Sequence, residues 1–436
     1  MTEVLFFFDT EDYTCDESMD AARELAKICT EEGIAGHFAV VGLVAEKLVR
    51  DGRRDVIDAL LPHVLGTHTH SHSMHPNICE ISDVADFEQA YRRVGEMEAS
   101  GLEMLRAAFG DKRIYFAAPP GNSKSYAAMY WYADKGIPFY CDTVVWNAGC
   151  GDVYCCNAMH IAYPEAVESM AFGGTEAIPV LLDEFSAKKR VILYTHPNMA
   201  YFSEFWDSRN FRGYNRHSDG AYEMCTRRTP EETAHYLETF RALVRAVRGD
   251  ERFEITSLPE IESKRKARHF LTRAEIPAEY AQLRTEYAPV RTPSLCLYDI
   301  FMAAAAFLGG AETYQPGRAY GLLDAPCELT ISVTVSSAAI RAAARRQITP
   351  DTFLPPSFDL GGVSVGTGDM LYAMLEVLTT GAETLHLTPH PPMIFLRRYP
   401  ELNFMALRGT WMHSDAFTDT YLSDRLRLQA YTIREE

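Results

Sequence analysis

The chain has 436 residues, a formal net charge of -18 and 47% hydrophobic residues, which predicts two globular domains. The acidic charge argues against nucleic acid or an anionic membrane surface as a partner. No segment approaches the roughly 20 consecutive apolar residues that a membrane-spanning helix requires.

The N-terminal sequence has no basic leader, which predicts a cytoplasmic protein. The ten cysteines are accordingly expected to be reduced thiols. Four of them lie close together, but their spacing differs from that of zinc knuckles, so we predict no zinc site there. These four are Cys141, Cys150, Cys155 and Cys156.

The first two hundred residues predict alternating strands and helices. Leu5–Phe8 is an apolar run typical of a strand buried on both faces, and it stops at Asp9-Thr10-Glu11-Asp12. Ser18 predicts the N-cap of a helix that Gly33 closes. Further strands are predicted at 36–42, 113–118, 139–141 and 191–196, and helices at 43–51, 55–61, 87–109 and 125–135. This alternation predicts an α/β fold, either an open doubly wound sheet or a barrel.

A dense histidine cluster stands where a third strand should end, and it comprises His68, His70, His72 and His75. Imidazole is a common zinc ligand because a neutral ring nitrogen offers a lone pair. One helical turn would place His68 and His72 on the same face, whereas an extended segment would align His68, His70 and His72. Either geometry predicts a metal site.

Polar residues also stand at the carboxyl ends of other predicted strands. Asp9, Asp142 and His196 occupy such positions, and functional residues of parallel α/β barrels gather at this edge. Together with the histidine cluster, the acids Glu11 and Asp12 complete the side chains of a hydrolytic metal site. The pattern therefore predicts that these segments meet.

These segments resemble the NodB-type polysaccharide deacetylases, carbohydrate esterase family 4, over about the first 260 residues. Residues 8–12 look like the acidic first motif of that family. Residues 66–72 match its second motif, Gly-x-His-Thr-x-Ser-His, in every specified position. Residues 36–42 are similar to its second strand, and residues 193–196 loosely resemble its terminal Leu-x-His. Its later Asp and Trp resemble Asp142 and Trp146.

The resemblance implies a distorted (β/α) barrel that holds one divalent metal, with zinc as the expected ion. It implies that His68 and His72 are ligands and that Glu11 is the acidic ligand, with Asp12 as the alternative. A bound metal of this kind activates water and polarises an acyl oxygen.

The resemblance also implies the catalytic groups. Asp9 would be the general base, and His196 would be the general acid that protonates the leaving amine. The residues expected to contact the substrate or support the ligands are Asp12, His70, Pro120, Gly121, Asp142 and Trp146. We expect His75 to be exposed or to support other residues.

The third motif departs from the family pattern, Phe-Arg-Pro-Pro-Tyr-Gly. This chain has Ala117 in place of the Arg that fixes the base, and Pro120 has no N–H for an oxyanion. Losing one such donor typically costs about 10²–10³ in rate. Either another group substitutes, or the substrate differs, or the site does not catalyse. The substitute groups considered are Gly121, Asn122 and Ser123.

Three functions follow as hypotheses. The first is a metal-dependent hydrolase that removes an acyl group from an N-acylated sugar or a related amide. The second is a cyclic amide or ureide hydrolase on the same fold, and the third is a carbohydrate-binding protein with a degenerate site. Residues 206–212 carry groups that stack on and hydrogen-bond a sugar, although a long polar surface loop has the same composition.

A charged stretch at 260–266 followed by prolines predicts a domain boundary, so we expect domains at 1–265 and 266–436. The second domain should be a smaller α+β unit with a weak internal repeat, since residues 299–313 parallel residues 369–384. Between the copies, residues 328–335 predict a strand and 336–346 a helix. Packing or formation of a homo-oligomer is the expected role of this domain.

Overall fold

The computed structural model describes residues 1–141, 144, 153–162, 165–168, 174–217, 220–265, 267–286, 294–389 and 412–435. The chain forms two compact units. Unit 1 contains residues 1–150, 160–265 and 405–422, and unit 2 contains residues 151–159, 266–404 and 423–436. The chain passes between units after residue 265, and also at four points that the sequence did not predict.

The strands and helices that the structure describes belong to both units. The strands are Thr2–Thr10, Gly36–Val40, Val64–Thr67, Ile114–Ala117, Phe139–Cys141, Val153–Cys155, Ala158–Ile161, Glu165–Ala166, Arg190–Thr195, Phe253–Ile255, Leu271–Thr272, Thr313–Tyr314, Val333–Ser336, Ser357–Asp359, Ser364–Gly366, Thr384–Leu387 and Arg434–Glu435. The α-helices are Asp16–Glu31, Gly42–Arg50, Arg54–Leu60, Ile78–Ser82, Phe87–Phe109, Tyr126–Asp134, Ile178–Ser186, Trp206–Asn210, Pro230–Gly249, Leu258–Ser263, Ile276–Glu286, Leu297–Leu308, Ser337–Gln347, Thr367–Thr380 and Leu422–Leu428.

Unit 1 is built on a curled mixed sheet, in which eight strands pair in parallel. The order of its strands is 139–141, 114–117, 64–67, 36–40, 2–10, 190–195 and 165–166, with 253–255 pairing to the start of the first strand. Because all run the same way, their carboxyl ends meet at one edge. The predicted α/β fold with a distorted barrel is confirmed, as a half-barrel.

The first strand, Thr2–Thr10, is apolar because both of its faces are buried. On one face, Phe6 and Phe8 pack against Phe240 of the helix Pro230–Gly249. On the other face, Phe7 stacks on His37, with ring centroids 4.5 Å apart. All three strand phenylalanines are fully buried, and each such burial stabilises the fold by about 1.5–3 kcal/mol. Side chains alternate along a strand, so Asp9 lies on the same face as Phe7.

The predicted cap of the first helix is wrong. The helix begins at Asp16 with Cys15 as its N-cap, so Ser18 lies inside the first turn. The Ser18 hydroxyl instead donates a hydrogen bond to Asp12 at 2.5 Å. The helix ends at Glu31, and Gly33 follows with a φ of +69°, as predicted for a helix that a left-handed residue closes.

Unit 2 contains both copies of the internal repeat. Helices Leu297–Leu308 and Thr367–Thr380 each carry an aspartate at their third position. Asp299 accepts a hydrogen bond from the Cys296 N–H at 2.9 Å, and Asp369 accepts one from the Gly366 N–H at 3.2 Å. Each helix leads to a short strand. The repeated sequence thus corresponds to a repeated capped helix.

The segment between the two copies has the predicted order of strand and helix. The strand is shorter than predicted, at Val333–Ser336, and the helix is Ser337–Gln347. Ser336 caps this helix by accepting a hydrogen bond from the Ala339 N–H at 3.2 Å. Among all the residues that the structure describes, no helix combines the length and apolarity needed to cross a membrane.

Candidate active site

The histidine cluster lies in a loop that starts as the third strand ends at Thr67. Thr69 and His72 have φ angles of +66° and +55°, which are uncommon for residues with a side chain. The loop therefore turns back on itself and brings the rings of His68 and His72 to a centroid distance of 4.8 Å. Both predicted geometries, the helical turn and the extended segment, are wrong.

Neighbouring helices hold this loop in place. The first two N–H groups of the helix that begins at Gly42 donate hydrogen bonds to the carbonyls of Thr69 and His70, both at 3.0 Å. The His70 N–H donates to the carboxylate of Glu98 at 3.2 Å. Strained backbone persists only where its surroundings fix it, and these three hydrogen bonds supply that restraint.

The strand Ile114–Ala117 supports the loop from the other side. Gly66 has no room for a side chain, because a Cβ would lie 2.5 Å from the ring of Phe116. The Ala118 carbonyl accepts a hydrogen bond from Nδ1 of His68. This bond leaves Nε2 of His68 as the ring nitrogen with a free lone pair. The segment of the third motif thus orients a predicted metal ligand, although its Arg and Tyr are missing.

Three buried side chains converge on one point. Oε2 of Glu11 lies 2.8 Å from Nε2 of His72 and 3.3 Å from Nε2 of His68, and the three ligand atoms lie within 4.8 Å of one another. Nδ1 of His72 is hydrogen-bonded to Oγ of Ser73 at 3.0 Å. Two imidazoles and a carboxylate form a donor set typical of zinc, so these residues fit the metal that the motif implies.

Glu11, rather than Asp12, faces the histidines. Its second oxygen, Oε1, accepts a hydrogen bond from Nε1–H of the buried Trp206 at 2.9 Å. Burial acts to raise the pKa of Glu11, but the charges and hydrogen bonds of the surrounding histidines outweigh it and hold the pKa well below its usual value. Asp12 instead accepts hydrogen bonds from Thr14 and Ser18, which leaves it outside the cluster.

The histidines themselves respond to burial and to the carboxylates around them. Burial lowers the pKa of His72. For His68 burial acts in the same direction, but the charge of Asp9 and the hydrogen bond with Glu11 outweigh it, so its pKa is raised.

Asp9 lies beside this cluster with one oxygen unpaired. Oδ1 is buried and has no hydrogen-bond partner among the described residues, which is the expected consequence of Ala117 in place of an arginine. Oδ2 lies 3.7 Å from Nε2 of His196. Burial raises the pKa of Asp9, and the charges of His68 and His196 oppose this rise.

His196 is oriented by Glu168, which the sequence analysis did not identify. Oε1 of Glu168 accepts hydrogen bonds from Nδ1 of His196 at 2.9 Å and from its backbone N–H at 2.5 Å. Burial would lower the pKa of His196, but the charges of Glu11 and Glu168 raise it to about 10. The imidazole is therefore protonated at neutral pH, with Nε2–H turned towards Asp9.

These groups share a cavity of about 520 Å³. Its described lining residues are Asp9, Glu11, His68, His72, Ala118, Pro119, Gly121, Tyr194, His196, Phe205, Asp207, Ser208 and Arg212. Three of them belong to the segment 206–212, whose first residues form a short helix with Trp206 fully buried. The alternative of a polar surface loop is wrong for this segment. Burial raises the pKa of Asp207 to about 7, with a further contribution from the charge of Glu11.

His70, His75 and Pro120 are not among the described lining residues of this cavity. The backbone of His70 packs against Gly42 and Gly101 of two helices. Nδ1 of His75 is 3.0 Å from Glu80, and its Nε2 donates a hydrogen bond to the Phe211 carbonyl at 2.7 Å. Pro120 is buried but is not among the lining residues, whereas its neighbour Gly121 is. Asp142 and Trp146 lie outside the described residues.

No protein-family model and no curated protein matches the chain. The solved structures that it resembles include polysaccharide deacetylases of carbohydrate esterase family 4. One is a family 4 carbohydrate esterase from Streptomyces lividans in complex with acetate, with a TM-score of 0.34, 12% identity, and coverage of 59% of this chain and 92% of that one.

Two further neighbours come from the same group. A peptidoglycan deacetylase from Bacillus subtilis has a TM-score of 0.33 and 9% identity, and the match covers 66% of this chain and 98% of that one. The third is a mutant of a family 4 pseudoenzyme with restored enzymatic activity, at a TM-score of 0.35 and 13% identity, covering 59% of this chain and 66% of that one. TM-scores and identities this low describe a likeness of fold and say nothing about activity.

Proposed function

We propose that this protein is a metal-dependent hydrolase that removes an acyl group from an N-acylated sugar or a related amide. The observation that carries the proposal is the convergence of Glu11, His68 and His72 beside Asp9 and His196 in one cavity. The match of residues 66–72 to the second deacetylase motif supports the choice of substrate class.

Glu11, His68 and His72 would hold one divalent cation, and zinc suits two imidazoles and a carboxylate best. Such a cation lowers the pKa of water and polarises an acyl oxygen. The protein's own contribution is orientation. Ala118 and Ser73 hold the two rings at Nδ1, and Trp206 holds the carboxylate.

Asp9 is the proposed general base, because its unpaired Oδ1 can accept a proton from water within the cavity. His196 is the proposed general acid. Its Nε2 carries a proton at neutral pH, and the Glu168 carboxylate keeps Nδ1–H fixed while Nε2–H is given to the leaving nitrogen. Protonation of the leaving nitrogen makes it a neutral amine, which allows the C–N bond to break.

A cyclic amide or ureide is the second candidate substrate. The observation that favours it is the unpaired Oδ1 of Asp9, since the resemblance implies an arginine partner in deacetylases of sugars. Gly121, with a φ of +57°, lines the cavity next to Pro120 and is the proposed source of a substitute oxyanion donor.

The test is an assay of the zinc-loaded protein with N-acetylglucosamine oligomers and with hydantoin. We expect hydrolysis of one class, and Asp9→Asn and His196→Gln should each lower its kcat by at least about 10²-fold. His269→Gln, which changes an exposed histidine of unit 2, should leave kcat unchanged. Sugar binding without hydrolysis of any amide would contradict the proposal and favour the carbohydrate-binding function.

A further inference from the structure

The Arg212 side chain is an exposed cation at the edge of the cavity. It lines the cavity and makes no hydrogen bond, ion pair or ring contact with any described residue. Arg209, three residues earlier, shows the contrast, since it is ion-paired with Glu204 at 2.6 Å and lies 3.8 Å from Glu223. Among the described lining residues, Arg212 is the one with a permanent positive charge.

The backbone that carries Arg212 is fixed on both sides. Before it, the Phe211 N–H donates to the Asp207 carbonyl at 2.7 Å. The Phe211 carbonyl accepts a hydrogen bond from His75 at 2.7 Å. After it, the Gly213 carbonyl accepts a hydrogen bond from the Asp415 N–H at 2.8 Å.

His75 acquires a structural role in this arrangement. Its ring is held by Glu80 at 3.0 Å, while its backbone N–H and carbonyl bind the side chain of Asn215 at 2.9 and 2.7 Å. Gly213 has a φ of +80°, and a Cβ there would lie 2.7 Å from Oδ1 of Asp415. Hydrogen bonds on both sides of Arg212 therefore fix the loop that carries it.

The residues around Arg212 in the cavity are mostly acidic or neutral, so its positive charge stands out as a binding site for an anion. Asp9, Glu11 and Asp207 also line the cavity, and the whole chain has a net charge of -18. This net charge and the three carboxyl groups do not favour an anion, whereas a guanidinium offers two parallel N–H donors that match a carboxylate or phosphate.

We infer that Arg212 is a specificity-determining residue that binds an anionic group of the substrate. The substrate would then be an amide that also bears a carboxylate or a phosphate, with the anion at Arg212 and the acyl group beside Glu11, His68 and His72. This inference rests on the proposed function for the reacting group and adds the chemistry of the remainder of the substrate.

The test compares matched neutral and anionic amides on the zinc-loaded protein. N-acetylglucosamine is the neutral compound, its 6-phosphate tests a phosphate, and N-acetylmuramic acid tests a carboxylate. We expect kcat/KM for at least one anionic compound to exceed that of the neutral sugar by about tenfold to a hundredfold, the usual effect of a charge-assisted hydrogen bond. The preferred compound shows whether the anionic group of the substrate is a phosphate or a carboxylate.

Substitutions then assign the preference to the residue. Arg212→Gln should abolish it, so that kcat/KM for the anionic compound falls about tenfold to a hundredfold, to that of the neutral sugar. Arg212→Lys should keep part of it, since lysine retains the charge and loses the planar fork. Arg209→Gln, the matched control in the same segment, should keep all of it.

The outcomes separate the two proposals. If the neutral sugar is hydrolysed without an anionic preference, or if Arg212→Gln retains that preference, the inference is overturned and the proposed function stands. If no amide is hydrolysed, the proposed function fails. Calorimetric binding of the two anionic sugars then decides the inference: binding to the wild type that is lost in Arg212→Gln supports it, and no binding or equal binding overturns it.

Discussion

Replacing Glu168 by glutamine tests how the structure sets the protonation of His196. In the structure, Oε1 of Glu168 accepts hydrogen bonds from the Thr195 hydroxyl at 2.9 Å and from Nδ1 and the backbone N–H of His196. The amide oxygen of glutamine can accept all three. The substitution therefore keeps the geometry and removes only the negative charge.

The size of the effect follows from the kind of bond that changes. A hydrogen bond to a charged group stabilises by about 1.5–3 kcal/mol and a neutral one by about 0.5–1.5 kcal/mol. The difference is about 1 to 2 kcal/mol, or about one pH unit. The charge of Glu11 also raises the pKa of His196, so part of the rise should remain. We expect the pKa of His196 to fall from about 10 by roughly one pH unit.

Nuclear magnetic resonance titration of the His196 ring in the metal-free protein measures this pKa. Thr195→Val is the control, because it removes one hydrogen bond to Glu168 without changing the charge beside the ring. A pKa of His196 that is unchanged in Glu168→Gln, or that falls equally in Thr195→Val, would refute the assignment.

The same shift has a consequence for stability. A histidine whose pKa is raised on folding stabilises the folded state fully below its unfolded pKa of about 6.5, and this contribution is lost as the pH rises through the folded pKa. In the metal-free wild type the loss should extend to about pH 10, and in Glu168→Gln it should end at a lower pH. Urea unfolding across this range measures it.

Three further predictions concern the ligands, the loop and the base. Trp206→Phe removes a hydrogen bond to Glu11 and should lower zinc affinity about tenfold, as measured by competition with a chromophoric chelator; equal affinity would argue against a supporting role. Burial raises the pKa of the Glu98 carboxyl to about 7. The metal-free wild type should therefore lose about 3 kcal/mol of stability from this group as the pH rises from 4.5 to 7. Urea unfolding of Glu98→Gln should show no such loss. Asp9→Asn should bind zinc with unchanged stoichiometry while turnover falls, and loss of the metal instead would show that Asp9 is a ligand.

The sequence predicted those parts of the site that are local in the chain. The apolar run that ends at Asp9 and the histidines that follow the third strand lie at carboxyl ends of parallel strands, and such ends meet at one edge because of the fold itself. The strand positions followed from the same hydrophobic patterns. Glu11 and the histidines could therefore be expected to meet before the structure was known.

The remaining parts depend on contacts between distant segments. Glu168 follows a two-residue strand without an apolar run, and nothing in its local sequence distinguishes it among 60 acidic residues. Trp206 lies 195 residues from Glu11, which it contacts. The positive φ angles of Thr69 and His72 were equally hidden, because neither residue type usually adopts them.

The most direct test is the zinc content of the purified protein after equilibration with the metal, together with two variants from the same loop. The wild type and His70→Ala should each bind one zinc ion per chain, and His68→Ala should bind none. His70 is the matched control because it lies in the same loop but is not part of the group formed by Glu11, His68 and His72. A wild type that binds no zinc, or a loss in His70→Ala as large as that in His68→Ala, would contradict the metal site on which the account depends.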